Sequence, residues 1–191
     1  MYKRQLIIST TYLLITLSFK GIAHYNIARA LEDNNIEYKD VNTRATYFNS
    51  ILWSSQIELE DSYMFSYYSL FDKSPPSFTK KFPKNHHMLM PFIDNKKIQQ
   101  LIILSNGHYI MTNENNELVF WNLKLGQKGF DKNASPYIWS YVIEKTDQGE
   151  MLFDETNEKM NALKIQEVRS FRNNRKYSEE FNNFIERLKG I

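Results

Sequence analysis

The chain contains no cysteine, which excludes a disulfide framework, a Cys-based zinc site and a thiol nucleophile. Glycine and proline are scarce, six and five among 191 residues. Neither a Walker loop, nor a Rossmann glycine pattern, nor a GxSxG nucleophile elbow is present. There is no surplus of one charge: 24 Lys and Arg against 22 Asp and Glu leave a formal +2, too little to point to nucleic acid. Histidine is limited to four residues, and no two of them stand at the i, i+3 or i+4 spacing that helical metal sites use. No internal repeat or low-complexity segment occurs.

What is present is an aromatic-rich globular composition, 15% aromatic and 42% hydrophobic, together with one long apolar run. That run, residues 6–23 (LIISTTYLLITLSFKGIA), organises the rest. As a helix its eighteen residues extend roughly 27 Å, close to the roughly 30 Å hydrocarbon core of a bilayer. Ser9, Thr10, Thr11, Thr16 and Ser18 can bond back to the helix's own carbonyls, and Lys20 can snorkel. Lys3 and Arg4 precede the run, so a spanning helix keeps its N-terminus cytoplasmic and carries the remainder across.

Three readings fit this run. One is a retained membrane anchor. A second is a cleaved signal peptide, with a charged start, an apolar stretch over 6–19 and small residues Gly21 and Ala23 before the cut. The third is a buried helix of a soluble fold. The periodicity favours the anchor: Ala23, Ile27, Ala30 and Leu31 continue one helical face past the supposed cleavage point, with Asn26, Arg29 and Glu32 off it. The helix should stop at Asp33-Asn34-Asn35.

About 168 residues follow the run, room for one domain and hardly for two. Residues 36–41 read as a connector leading into Asn42-Thr43-Arg44-Ala45-Thr46. Residues 51–59 and 63–71 read as a hairpin turning at Glu60-Asp61-Ser62. The second strand carries Tyr63, Phe65, Tyr67 and Phe71 on one face and Met64, Tyr68 and Leu70 on the other, which predicts cover on both sides. Trp53, sharing a face with Ile51, Ser55 and Ile57, is expected to meet Tyr63, Phe65 and Tyr67 across the hairpin.

Lys73-Ser74-Pro75-Pro76 forces a loop. A short edge strand is expected over 78–82, guarded by Lys80 and Lys81, and KNHHMLM, between Pro83 and Pro91, reads as a loop. Asp94 is expected to cap a short amphipathic helix bearing Ile98, Leu101 and Ile102 and ending at Gly107. Strands follow at 108–112 and 117–125, then a second hairpin of 137–145 with 150–154. Met160, Leu163, Val168 and Phe171 suit a helix face, and Ser178-Glu179-Glu180 opens a last helix with Phe181, Phe184, Ile185 and Leu188.

The expected fold is α+β: an N-terminal transmembrane or stalk helix, then one domain with an antiparallel sheet and a few helices. The expected divisions are 1–32 for anchor and stalk, 33–155 for the α+β domain and 156–191 for a helical tail.

Candidate chemistry is sparse, and no catalytic, cofactor-binding or metal residue is assigned. Adjacent His86 and His87 diverge on either a strand or a helix and chelate poorly. His24 and His108 are solitary. Glu58 and Glu60, beside Asp61, sit at a hairpin tip where carboxylates are ordinarily solvated. Arg169, Arg172 and Lys176 could face phosphate or lipid headgroups, but Glu167, Glu179 and Glu180 lie close by.

Several short stretches carry a resemblance: Leu13-Leu14, Phe19-Lys20, Ala30-Leu31, Asn35-Ile36-Glu37-Tyr38, Phe48-Asn49-Ser50-Ile51-Leu52-Trp53, Tyr67-Tyr68-Ser69-Leu70-Phe71-Asp72, Pro83-Lys84-Asn85-His86, Ser105-Asn106-Gly107-His108-Tyr109 and residues 123–126. Through them residues 12–130 resemble the C-terminal part of the bacterial membrane-bound metal-dependent hydrolase family, inner-membrane proteins. The chain departs from that pattern at residues 43–46 and 87–90. The resemblance implies a domain hung from the last of several membrane helices, with lipid and the upstream helices as partners and the bacterial inner membrane as location. It also implies a divalent metal for the full-length family, bound by upstream His-Arg-x-x-x-His-Ser-type motifs that are missing here. Met1 is then an internal or fragment start, and this chain alone carries no activity. The alternative is a single-pass or secreted envelope protein that binds a ligand or protein partner.

Overall fold

The computed structural model of the chain describes residues 2–46, 48–114, 117–124, 126, 139–145, 152–153, 159–160, 163–169 and 176–190. They form a long apolar N-terminal helix followed by antiparallel sheets and helices, an α+β fold. The described residues fall into two compact units, 2–81 with 176–190, and 82–169.

The first unit begins with α1, Tyr2–Asp33, 32 residues without a break. Its N-terminal hydroxyls bond back into the helix, Thr16 Oγ1 donating to the Leu13 carbonyl at 3.0 Å and Ser18 Oγ to that of Leu14 at 2.9 Å, so they present little unmet polarity. The helix stops where the Asp33-Asn34-Asn35 cluster predicts. Asn35 takes a left-handed φ of 52°. Its N–H donates to the Glu32 carbonyl at 2.9 Å, and the Ile36 N–H reaches back to Leu31 at 2.9 Å. This is a Schellman closure with asparagine in the left-handed position. Only Ala23, Ile27, Ala30 and Leu31 of α1 are buried.

Against that face lies a sheet with strand order β1-β2-β3-β4: β1 Asp40–Ala45, β2 Leu52–Glu58, β3 Ser62–Ser69 and β4 Ser77–Phe78. The β2–β3 hairpin is present, and every residue of β3 is buried. Three expectations need correction. Residues 40–45 form β1, paired along their length with β2, where a connector was expected over 36–41 and no strand over 42–46. The six residues DVNTRA lack apolar alternation because the inward Thr43 is polar; it is buried by bonding Ser55 Oγ at 2.7 Å. Second, the register pairs Trp53 with Tyr68 and Ile57 with Met64, so Trp53 meets Met64 and Tyr68 rather than Tyr63, Phe65 and Tyr67. A one-residue difference in register exchanges the faces. Third, the edge strand expected over 78–82 is interrupted. Thr79 Oγ1 and the Thr79 N–H bond the backbone of Phe65, each at 2.9 Å, and separate β4 from β5, Phe82–Pro83.

The core of this unit packs Ala23, Ile27 and Leu31 of α1 on Trp53, Ile57, Leu59, Met64 and Tyr68, with Phe19 and Ile36 at its margins. The terminal helix α3 belongs to the same unit. It was expected from Ser178 and spans Lys176–Leu188.

In the second unit a 3-10 helix, His86–Phe92, replaces the loop expected for KNHHMLM. It is pinned to β6, Tyr109–Glu114, by Asn85 Nδ2 donating to the Met111 carbonyl at 3.0 Å and by the Met111 N–H donating to Lys84 at 3.0 Å. Helix α2, Lys96–Leu104, is capped by Asn95, one residue later than the expected Asp94. The Asn95 Oδ1 accepts from the N–H of Lys97 at 2.9 Å and of Ile98 at 3.4 Å. Asn95→Ala should therefore cost about 1 kcal/mol and lower the melting temperature by about 2–4 °C; an unchanged thermal melt would show the cap to be idle.

Helix α2 sets Ile98 and Leu101 on Tyr109, Met111, Phe120 and Ile143, with Leu89 of the 3-10 helix completing the cluster. The sheet beneath has the order β11-β8-β7-β6, with β7 Glu117–Asn122, β8 Trp139–Lys145 and β11 Leu163–Arg169. Two further expectations are overturned. β8 pairs with β7 and β11, whereas Leu152–Phe153, β9, pairs with Lys159–Met160, β10. The helix face expected through Met160, Leu163 and Val168 is strand instead; Leu163 and Ile165 already show the two-residue period that β11 uses. Phe171 lies outside the described residues.

Candidate functional site

The weighed side chains do not converge. His86 stacks on the Tyr109 ring, centroids 3.9 Å apart, and its Nε2 lies 2.8 Å from the Tyr109 carbonyl. His87 is exposed. His24 Nδ1 lies 3.1 Å from Thr43 Oγ1, which leads on to the buried Ser55 hydroxyl. That polar chain ends in the core, at the buried Ser55 hydroxyl. Glu60 pairs with Lys39 at 2.9 Å with its side chain 83% exposed, and Asp61 accepts from Ser62 Oγ at 3.2 Å: carboxylates at a wet hairpin tip. The side chains of Arg169, Arg172 and Lys176 lie outside the described residues. Among the described residues no group of three or more His, Cys, Asp or Glu is placed to hold a metal ion. These residues do not fit the divalent metal that the resemblance implies.

A cleft of about 300 Å³ does form in the first unit, between the C-terminal half of α1 and the loop after β3. Asn26, Arg29, Ala30 and Asp33 supply one wall, and Tyr68, Asp72 and residues 73–76 the other. The spacing of Asn26, Arg29 and Asp33 places them on one helical face, the polar stripe beside the buried apolar one. The opposite wall is stiff because Pro75 and Pro76 fix their own backbone angles. Asp72 is anchored from behind: its carboxylate accepts both Arg187 guanidinium nitrogens, at 2.5 and 2.6 Å, and the Ser69 N–H at 2.9 Å.

Tyr68 projects from the core toward this cleft. Burial, and then the nearby Asp72 carboxylate, push its phenol above the ordinary tyrosine range, so the hydroxyl stays protonated at neutral pH and can donate a hydrogen bond. Arg29 approaches Asp33 only at 4.0 Å, with both side chains largely in water, a pairing worth little in itself. The cleft thus presents a phenol donor and exposed charges of both signs, chemistry suited to holding a polar or zwitterionic group. On the far face of the hairpin, burial raises Tyr67 above its ordinary range, opposed by a hydrogen bond with Ser54 and by the Arg44 charge.

Sequence reasoning missed the cleft. Its signal was the polar stripe Asn26, Arg29 and Asp33; its other wall comes from residues some forty positions away. Compared with protein-family models, characterised proteins and solved structures, the chain matches none.

Proposed function

We propose that this chain is a membrane-tethered domain: α1 crosses the bilayer with Lys3 and Arg4 on the cytoplasmic side, and the sheet-bearing units stand on the other. One observation carries this reading, the change of burial along a single unbroken helix. Leu6, Ile8, Leu13 and Leu17 are each more than 60% exposed, whereas Ala23, Ile27 and Leu31 are fully buried. Leaving one such side chain in water forgoes about 1.5–3 kcal/mol, and a soluble core helix long and apolar enough to span would be mostly buried, unlike α1.

Within this reading the domain is the extramembrane C-terminal part of a membrane-bound, metal-dependent hydrolase-like protein of the bacterial inner membrane. The resemblance through 48–53 and 67–72 supports it, and the metal chemistry belongs to that family's other membrane helices. A reading frame continuing upstream of Met1 into a His-containing membrane segment is the expected finding. A ribosome-binding site just before Met1 would favour a second reading, an envelope protein binding a ligand or partner, for which the α1 cleft speaks.

Alkaline carbonate extraction of the expressed chain tests the tether. The chain should stay in the membrane pellet at full mass. A soluble product beginning near His24 would replace the anchor by a signal peptide.

A further inference from the structure

From the geometry of the β1–β2 turn we infer that it is a second membrane contact, inserting Phe48 into the lipid interface beside α1; this rests on the membrane reading of α1. The turn's level along the helix is fixed by two contacts. β1 runs back along α1: His24 touches Thr43, and the Ala45–Trp53 pair lies two residues further along the strand. Those two residues cover roughly 7 Å, which is roughly four to five residues of helix, so the end of β1 stands near Phe19 and Lys20. Phe19 packs on the cluster to which Trp53 belongs, which agrees with that level. The turn beyond Ala45 lies nearer still to the N-terminal half of α1. A helix that must cover roughly 30 Å of hydrocarbon from Leu6 uses about twenty residues, to about Tyr25, so this turn overlaps the spanning segment.

The turn is built to hold an aromatic ring outward. Asn49 Oδ1 accepts from the N–H of Ile51 at 2.9 Å and of Leu52 at 2.7 Å, and its Nδ2 donates to Thr46 Oγ1 at 2.7 Å. The Thr46 N–H donates to the Leu52 carbonyl at 2.9 Å, and Trp53 Nε1 to the Ser50 carbonyl at 3.1 Å. Within this frame Phe48 adopts a φ of 60° and is fully exposed. A bulky residue seldom takes that backbone region. Phe71, leaving β3 at the same end, is also more than half exposed. Aromatic rings at a bilayer surface sit at headgroup depth, and the exposed Lys20 and Lys189 flank this end with charge suited to anionic headgroups.

Because the chain has no cysteine, single thiols can be introduced cleanly. The full chain is reconstituted in vesicles of zwitterionic and anionic phospholipid, with a nitroxide at Phe48→Cys, at Tyr12→Cys inside the span, or at Asp61→Cys on the opposite hairpin tip. Relaxation by oxygen against a water-soluble nickel chelate is then measured. The 48 label should fall between the two in favouring oxygen, below the 12 label inside the span and several-fold above the 61 label. A water-like 48 label with a lipid-like 12 label overturns the second contact and leaves the anchor standing. Water-like values at all three positions overturn the anchor itself, and a lipid-like 61 label overturns the placement of the turn as the membrane-facing end.

Discussion

Trp53→Ala should lower the melting temperature of the first unit by about 10 °C or more. Trp53 is almost fully buried between α1 and the sheet, among Ala23, Ile27, Ile57, Met64 and Tyr68. Truncating a buried tryptophan typically costs about 3–5 kcal/mol, since the transfer free energy is lost and a cavity remains. The whole stability of a domain is about 5–15 kcal/mol. The change also strips the Ser50 carbonyl of its indole partner, loosening the turn that carries Phe48. Lys39→Ala is the comparison, because it removes an exposed pair with Glu60 worth about 0–1 kcal/mol. Thermal melts of both variants in detergent decide the matter. Should Trp53→Ala melt with the parent, α1 does not pack on this sheet in solution.

Arg187→Ala should release the terminal helix at a cost of about 3 kcal/mol, the low end for breaking a buried ion pair. Its guanidinium forks onto Asp72 and donates to the Tyr67 carbonyl at 2.7 Å, and the two side chains are only 21% and 6% exposed. Without it the Asp72 carboxylate stays buried with no counter-charge. Two further contacts show how closely α3 docks. Ser69 Oγ donates to the Leu188 carbonyl at 2.7 Å, satisfying one of the carbonyls that a helix end leaves open. Gly190 has a φ of 78°, and a Cβ there would sit 2.5 Å from the Phe71 carbonyl oxygen, so only glycine fits. Limited proteolysis should cut Arg187→Ala within α3 while the parent resists. Arg187→Lys should fall between them, since it keeps the charge and loses the fork. Equal resistance in all three would overturn the clamp.

Local patterns were legible where one physical requirement dominated. The apolar face of α1 and its asparagine stop could be read directly, as could the β2–β3 hairpin and the amphipathic α2, because periodicity and turn chemistry agree there. Register was not legible: nothing in residues 59–62 announces whether Trp53 will face Tyr67 or Tyr68, yet that one-residue choice decides which aromatics share the core. β1 escaped because its inward Thr43 is paid for by hydrogen bonds to Ser55 and His24 and not by apolar burial. β11 escaped because Met160, Leu163 and Val168 suit a helical face while Leu163 and Ile165 suit a strand, and its pairing with β8 is a non-local fact. The cleft joins the polar stripe of α1 to the Asp72–Pro76 loop, a juxtaposition set by packing alone.

The central claim, that α1 spans a bilayer and holds the sheet-bearing units on the far side, is most directly tested by thiol labelling in intact bacterial spheroplasts. The absence of native cysteine leaves no background. A membrane-impermeant maleimide should label Asp61→Cys from outside, and should label Lys3→Cys only after the membrane is opened. Labelling of both from outside, or of neither until lysis, would contradict it.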